Sequence, residues 1–162
     1  MKTFDELRAS YPALIPPRLS FECGEGWAGI LARYLEDVSA LLPVGAEFSL
    51  TRVQARYGTL TIDYEVAGVS NEIEDRLERA TMVADARSVR CCDECGGKGE
   101  AREGAWTAAA CDQHARSKAE AAEVAVFTIR KVRYVYDDDV DDLVPLTPER
   151  AKRIPWWEES VD

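Results

Sequence analysis

The chain has 162 residues, a length that fits one domain with at most a small appended module. It carries 30 acidic and 20 basic residues, and the resulting net charge of −10 disfavours generic binding to nucleic-acid phosphates. No apolar run approaches the roughly 20 residues that span a bilayer, and the N-terminal sequence lacks a secretory pattern, so we expect a cytoplasmic protein that does not contact a membrane.

The first half of the chain predicts an arm, a helix and a β-hairpin. Prolines in residues 1–26 remove backbone donors, so we expect an extended arm there. Residues 27–42 carry an apolar stripe with the period of an amphipathic helix. Residues 46–66 alternate as a hairpin with its turn at Tyr57-Gly58, and a bulge near Arg52 would reconcile the two phases of the first arm.

The second half of the chain predicts a further helix, one strand and a tail. Asn71 is a suitable cap for a helix that runs to about residue 89. Residues 124–136 are rich in β-branched and aromatic side chains and predict one strand that completes the sheet of the hairpin. Residues 137–162 have the composition of an acidic tail, with five Asp in a run of six and two adjacent Trp near the end.

Four potential metal ligands lie between the second helix and the last strand. Cys92 and Cys95 form a C-x2-C pair, and Cys111 and His114 form a C-x2-H pair after fifteen intervening residues. Zinc prefers tetrahedral sulfur and nitrogen ligands, and two such pairs can supply all four from two short loops. A tight turn, a short hairpin and a helix that carries the second pair would make a treble-clef-like module over residues 91–122.

Other uses of these residues remain open in the sequence. The cysteines could be buried free thiols, Cys92 and Cys95 could form a redox dithiol, and Cys91 could replace Cys92 as a ligand. Acidic residues inside the motif would raise the thiol pKa and oppose a redox role. Four protein ligands leave no open position on zinc, and the only histidine is used, so we predict a structural zinc ion, no catalytic residues and no enzyme.

The pattern resembles a family of small zinc-binding proteins of bacteria, prophages and tailed phages. The resemblance covers about residues 24–116 and rests on these features: Gly26-Trp27, RVQARYGTLTIDY from Arg52 to Tyr64, Arg87-Ser88, C-x2-C-G-x2-G from Cys92 to Gly99, Trp106, and C-D-x-H-A from Cys111 to Ala115. It implies a phage or mobile-element origin and a zinc-stabilised fold, but no reaction. The chain departs from the family in having fewer Lys in the first hairpin arm and in extending beyond the zinc motif.

Charge and composition favour a protein-binding module as the function. Its partner would be a host or phage protein with a basic surface, and the module would act as an inhibitor of a host defence system, in the manner of an anti-CRISPR protein or a nucleic-acid mimic. The predicted partner-binding residues combine acids with aromatic anchors: Asp137, Asp138, Asp139, Asp141, Asp142, Trp156 and Trp157. The alternative for this segment is a solvated tail with no partner.

Two other functions were weighed against this one. A nucleic-acid-binding zinc module would need its cations on one face: Arg52, Arg56, Lys98, Arg102, Arg116, Lys118, Arg130, Lys131 and Arg133. A nuclease related to treble clefs would need a histidine outside the zinc site, which this sequence lacks. The predicted fold is α+β: a small antiparallel sheet and two main helices in one domain over residues 1–136, with the zinc module inside it and the acidic tail at 137–162.

Overall fold

The computed structural model describes residues 2–102, 109–116 and 124–154. It is a mixture of helices and small sheets, so the predicted α+β class is confirmed, but the strands form two separate sheets instead of the single antiparallel sheet that was predicted. The chain forms two compact units, residues 1–122 and 123–162, whereas the sequence predicted a boundary after residue 136. Within the described residues, no helix combines the length and the apolar character that crossing a bilayer requires.

The described residues of the first unit form three α-helices, a short 3-10 turn and one three-stranded sheet. Its elements are α1 (Phe4–Ser10), β1 (Phe21–Glu22), a 3-10 turn (Glu25–Trp27), α2 (Ala28–Leu41), β2 (Glu47–Arg56), β3 (Thr59–Ala67) and α3 (Asn71–Ser88). The strand order is β1-β2-β3, with β1 parallel and β3 antiparallel to β2. The helices and the sheet share one cluster of buried apolar side chains.

The predicted extended arm at residues 1–26 is wrong, because its first third is the helix α1. Thr3 caps this helix with its hydroxyl, which accepts from the Glu6 backbone N–H at 3.2 Å, while the Glu6 carboxylate accepts from the Thr3 N–H at 2.8 Å. The sequence signal for this reciprocal capping box is the pattern T-x-x-E. Leu7 is fully buried, so α1 contributes to the core rather than fraying.

The helix predicted at residues 27–42 and the hairpin predicted at 46–66 are both confirmed. The hairpin turn lies at Tyr57-Gly58, where both residues have positive φ, 51° and 83°. That backbone is the one a two-residue turn needs to match the twist of the strands. The register of β2 against β3 shifts between Leu50 and Arg52, which confirms the predicted bulge.

The helix predicted from Asn71 is also present, but its cap is Ser70. The Ser70 hydroxyl accepts from the Ile73 N–H at 3.4 Å, so the capping position lies one residue earlier than predicted. The buried Ser88 hydroxyl ends α3 by donating to the Asp85 carbonyl and accepting from the Leu60 N–H at 2.8 Å. This bond links the end of the helix to β3, immediately before the metal-ligand segment.

The second unit is built around a separate three-stranded antiparallel sheet. Its elements are β4 (Val126–Ile129), β5 (Val132–Asp137), β6 (Asp142–Pro145) and α4 (Pro148–Ala151). The prediction of one strand at 124–136 is wrong, because the chain reverses at Arg130-Lys131, where φ is 44° and 70°. This turn contains no glycine, so the run of β-branched and aromatic residues at 124–136 gives no sign of a break there.

The predicted acidic tail begins inside this sheet. Asp137 is the last residue of β5, and the acidic run forms the turn to β6. The Asp137 carboxylate accepts from the Asp139 N–H at 3.1 Å and from the Arg150 guanidinium at 2.9 Å. Short acidic side chains bond readily to nearby backbone N–H groups, which explains why this run forms a turn rather than a solvated tail.

Candidate metal centre

The first pair of candidate ligands lies on a tight turn that follows α3. The Gly96 N–H donates to the Cys92 carbonyl at 2.9 Å, and the Cys92 N–H donates to the Gly97 carbonyl at 2.8 Å. Gly96 has φ of 72°, a conformation in which other residues are strained. This turn, residues 92–97, presents the sulfurs of Cys92 and Cys95 on one side and is called the knuckle below.

The second pair is carried by a short turn at the other end of the module. The His114 N–H donates to the Cys111 carbonyl at 3.1 Å, which brings the two side chains together. Two backbone bonds between Glu100 and Ala110, at 3.1 and 3.0 Å, hold this turn against the chain that leaves the knuckle. A further bond from the Asp93 N–H to the Ala109 carbonyl, at 3.0 Å, joins the two halves directly.

The four candidate ligand atoms converge on one point. The atoms of Cys92, Cys95, Cys111 and His114 all lie within 4.8 Å of one another. The Sγ atoms of Cys95 and Cys111 are 3.9 Å apart, and His114 Nδ1 lies 3.5 Å from Cys92 Sγ and 3.2 Å from Cys111 Sγ. Tetrahedral zinc with its usual bond lengths requires about 3.8 Å between two sulfurs and about 3.6 Å between sulfur and nitrogen. The predicted convergence of these residues is confirmed, and the donor set fits a metal of zinc's size.

The electrostatics of the cluster favour the thiolate form of Cys92 but not of Cys95, whose pKa is raised, and favour the protonated form of His114. Burial opposes ionisation of Cys92, but bonds from the backbone of Cys111, Cys95 and Glu94, and from the His114 side chain, lower its pKa to about 6. The same contacts with Cys92 and Cys111 raise the pKa of His114. A thiolate is the form that binds metal, so backbone donors favour the binding form of the one fully buried ligand.

Cys91 and Cys23 lie outside the ligand cluster. The Sγ atom of Cys91 is 3.9 Å from the carbonyl oxygens of Gly26 and Cys92, and burial raises its pKa. Cys91 is therefore placed as a structural thiol rather than as a substitute for Cys92. Burial, with a smaller effect of Asp93, raises the pKa of Cys23 to about 12, as expected for an inert thiol.

The knuckle docks on the segment that begins α2, a contact that sequence reasoning missed. The Gly26 N–H donates to the Asp93 carbonyl at 2.6 Å, and the Trp27 indole N–H donates to the Cys91 carbonyl at 2.8 Å. A Cβ on Gly24 would lie 2.1 Å from the Asp93 carbonyl oxygen, and one on Gly26 would lie 2.4 Å from that of Cys92. The Gly-x-Gly-Trp pattern was the available signal, but alone it indicates only a helix start.

The predicted partner-binding residues differ in their contacts and exposure. The Asp142 carboxylate accepts from the Leu143 N–H at 2.7 Å, and the Tyr136 hydroxyl donates to Asp141. With Asp137, these acids bond locally within the turn. Asp138 and Asp139 are exposed at its tip. Trp156 and Trp157, like Trp106 and most of the helix predicted after Cys111, lie outside the described residues.

The structure places three of the cations named by the nucleic-acid hypothesis beside acidic groups or in the protein interior. Arg52 lies 3.4 Å from Asp63, and Arg116 lies 3.8 Å from Glu94. Arg102 is buried, so it cannot contribute to an exposed basic face. These placements reduce the positive charge that the predicted face could offer.

Comparison of the chain with protein-family models, with curated proteins and with solved structures gave no match. The resemblance to small phage and prophage proteins therefore stays a prediction. The candidate site is supported by its own geometry alone.

Proposed function

We propose that Cys92, Cys95, Cys111 and His114 bind one zinc ion, and that this ion is structural. The observation that carries the proposal is the convergence of four ligand atoms within 4.8 Å. The zinc would bridge the knuckle and the turn of Cys111, two segments that otherwise meet through a few backbone bonds. This clamp is also what the predicted treble-clef-like module would require.

A structural role suits the ligand set better than a catalytic one. Three thiolates and one imidazole complete a tetrahedron, which leaves no position for a water or substrate. His114 is the only histidine of the sequence, so no second imidazole is available as a general base. We therefore propose a protein without enzymatic activity.

Metal analysis of single-cysteine variants tests the zinc proposal. Purified protein should hold one zinc per chain, and cobalt substitution should give the absorption bands of a tetrahedral thiolate site. Cys111→Ser and Cys95→Ser should lose the metal and unfold the module, because the binding energy of structural zinc is folding energy. Cys23→Ser is the matched control and should keep full metal content. A Cys111→Ser protein with unchanged melting and metal content would contradict the proposal.

We propose further that the zinc-stabilised chain is a protein-binding module for a partner with a basic surface. The net charge of −10 and the exposed acids at the β5–β6 turn support this proposal. Val140, 60% exposed between Asp139 and Asp141, adds an apolar contact at the same tip. Inhibition of a host defence protein, by occupying a groove that otherwise binds nucleic acid, is the role that this chemistry would serve.

Charge-neutral variants at two places test the binding role. The partners to be assayed are purified nucleic-acid-binding proteins of a bacterial host, with duplex DNA as competitor. Asp138→Asn with Asp139→Asn should weaken binding and reduce its salt dependence, because these side chains face solvent at the turn tip. Glu36→Gln with Asp37→Asn is the control, since these exposed neighbours on α2 carry the same charge. Equal weakening by both double variants would show that only net charge matters and would refute a specific tip.

A further inference from the structure

Arg102 is a buried cation inside the module. Among the described residues, the buried polar or charged ones are Ser88 and Arg102, and the Arg102 side chain is only 5% exposed. Burial of a charge is costly unless the surroundings supply hydrogen bonds and opposite charge. The contacts of Arg102 therefore show what this part of the fold is arranged to hold.

The guanidinium of Arg102 donates hydrogen bonds to both chain neighbours of one candidate ligand. Its Nε and Nη2 groups donate to the Ala110 carbonyl at 3.0 and 2.8 Å, and Nη2 also donates to the Asp112 carboxylate at 3.0 Å. Ala110 and Asp112 are the residues immediately before and after Cys111. Arg102 thus bonds to the residues on both sides of Cys111, and these bonds are called the bracket below.

The Ala110 carbonyl is held by more than one partner. It also accepts from the Glu100 N–H at 3.1 Å, so two residues of the preceding strand-like segment direct donors at the same oxygen. Such a carbonyl has little freedom to rotate, and its peptide plane sets the direction in which Cys111 leaves the backbone. The bracket therefore limits the orientations open to the Cys111 side chain before any metal binds.

The charge of Arg102 suits the same site. A zinc ion with three thiolates and a neutral imidazole has a net charge of −1, because two positive charges meet three negative ones. A fixed guanidinium in the same module offsets this charge. A lysine would supply the charge as well, but it has no planar fork with which to reach Ala110 and Asp112 together.

We propose that Arg102 is a positioning residue for the metal centre: it presets the Cys111 half of the site and balances the charge of the loaded cluster. This inference rests on the proposed zinc site. It assigns to Arg102 a role in metal affinity beyond the folding of the module. It also explains why this arginine is buried while Lys98 and Arg116, the other cations in the described part of the module, are exposed.

The same substitution at two arginines tests the inference. Arg8 is the matched control, because its guanidinium also donates to a backbone carbonyl, that of Leu19 at 2.6 Å, in the apolar part of the first unit. Arg102→Lys and Arg8→Lys are compared for zinc affinity, by competition with a chelator, and for the absorption spectrum of the cobalt form. We expect Arg102→Lys to bind zinc about 10- to 100-fold more weakly, with shifted cobalt bands, while Arg8→Lys keeps the affinity and spectrum of the unchanged protein.

The outcomes separate this inference from the zinc proposal. If the unchanged protein binds no zinc, both are overturned. If it binds zinc and the two lysine variants bind it equally well, only the role of Arg102 is overturned. Should Arg102→Lys fail to fold, Asp112→Ala removes one side of the bracket at a side chain that is 97% exposed. A severalfold loss of zinc affinity would then support the bracket, and unchanged affinity would overturn it.

Discussion

The core of the first unit and the module that carries the metal ligands are stabilised in different ways. Between residues 2 and 88, helices and sheet bury large side chains such as Trp27, Tyr34 and Leu77 in one cluster. In the described part of the module, residues 91–102 and 109–116, the buried apolar residues are Cys92, Ala109 and Ala110, all of them small. Apolar burial can therefore hold the first region, while the second depends on backbone bonds and docking and, under the proposed function, on a bound metal.

The difference in apolar burial explains why the module docks on the first region. The knuckle lies against Gly24, Gly26 and Trp27, at the start of a helix that buries one face in the core. A region with little apolar material of its own thus gains a rigid support. The absence of side chains at two glycines is what permits backbone to lie on backbone.

Removal of the metal should have the largest effect, because it should destabilise the module and leave the core of the first unit folded. A chelator should remove hydrogen-exchange protection from the amides of Glu100 and Ala110, which pair inside the module, and leave those of Val53 and Ile62 in the sheet protected. Structural zinc contributes on the order of 10 kcal/mol in small modules, so this regional effect should be large. Exchange measured by mass spectrometry with and without chelator gives the result. Unchanged protection at Glu100 and Ala110 would show that the module is stable alone.

The next largest effect is expected at the docking contact. Gly26→Ala would place a Cβ 2.4 Å from the Cys92 carbonyl oxygen and 2.5 Å from the Gly96 nitrogen, both backbone atoms, and should cost about 2–3 kcal/mol. Gly29→Ala is the matched control. Its added Cβ would meet nothing within 4 Å, and in the first turn of α2 it should stabilise by about 0.4–1 kcal/mol through the unfolded state. Urea unfolding of both variants measures the difference, and equal stabilities would contradict close docking.

A smaller loss is expected from Trp27→Phe. Phenylalanine keeps an aromatic ring in the buried site but cannot donate to the Cys91 carbonyl, so the loss should be about 1–2 kcal/mol. Thermal unfolding should show this loss with the metal bound. The effect should shrink after chelation, because the module that carries Cys91 is then released. A loss of the same size in both states would mean that Trp27 acts through the core alone.

The smallest effect is expected from chemical modification, which should distinguish the exposed thiol of Cys95 from the buried thiol of Cys23. After chelation at pH 8, iodoacetamide should modify Cys95, which is exposed, and spare Cys23. With a pKa of about 12, only about one Cys23 in 10⁴ is a thiolate at this pH. Its rate should therefore rise about tenfold per pH unit between pH 8 and 10. Peptide mapping gives both rates, and modification of Cys23 as fast as Cys95 would contradict its burial.

Predictions from the sequence succeeded where neighbouring residues decide the structure. The stripe of α2, the Tyr57-Gly58 turn and the bulge before Arg52 all follow from local periodicity and turn chemistry. They failed where the deciding signal is weak or competes with another. The turn at Arg130-Lys131 has no glycine, and the T-x-x-E cap of α1 stands beside prolines that favour an extended chain.

The ligand set of the candidate site could be named from the sequence because the two pairs follow the spacing that zinc ligands require. The residues that support the ligands could not. Trp27 is 64 positions from its partner Cys91, and Arg102 bonds to both flanks of Cys111, which are 8 and 10 positions away from it. A lone arginine in a sequence that holds 20 basic residues gives no sign that it will be buried.

The amino-acid sequence by itself determined the α+β class, the main helix and hairpin of the first unit, and which four side chains could share a metal. These are matters of residue type and short-range spacing, which the chain states directly. Only the tertiary structure decided that the acidic run closes a second sheet, that two glycines receive the knuckle, and that a buried arginine brackets Cys111. Those contacts depend on surfaces that exist only after distant segments have packed together.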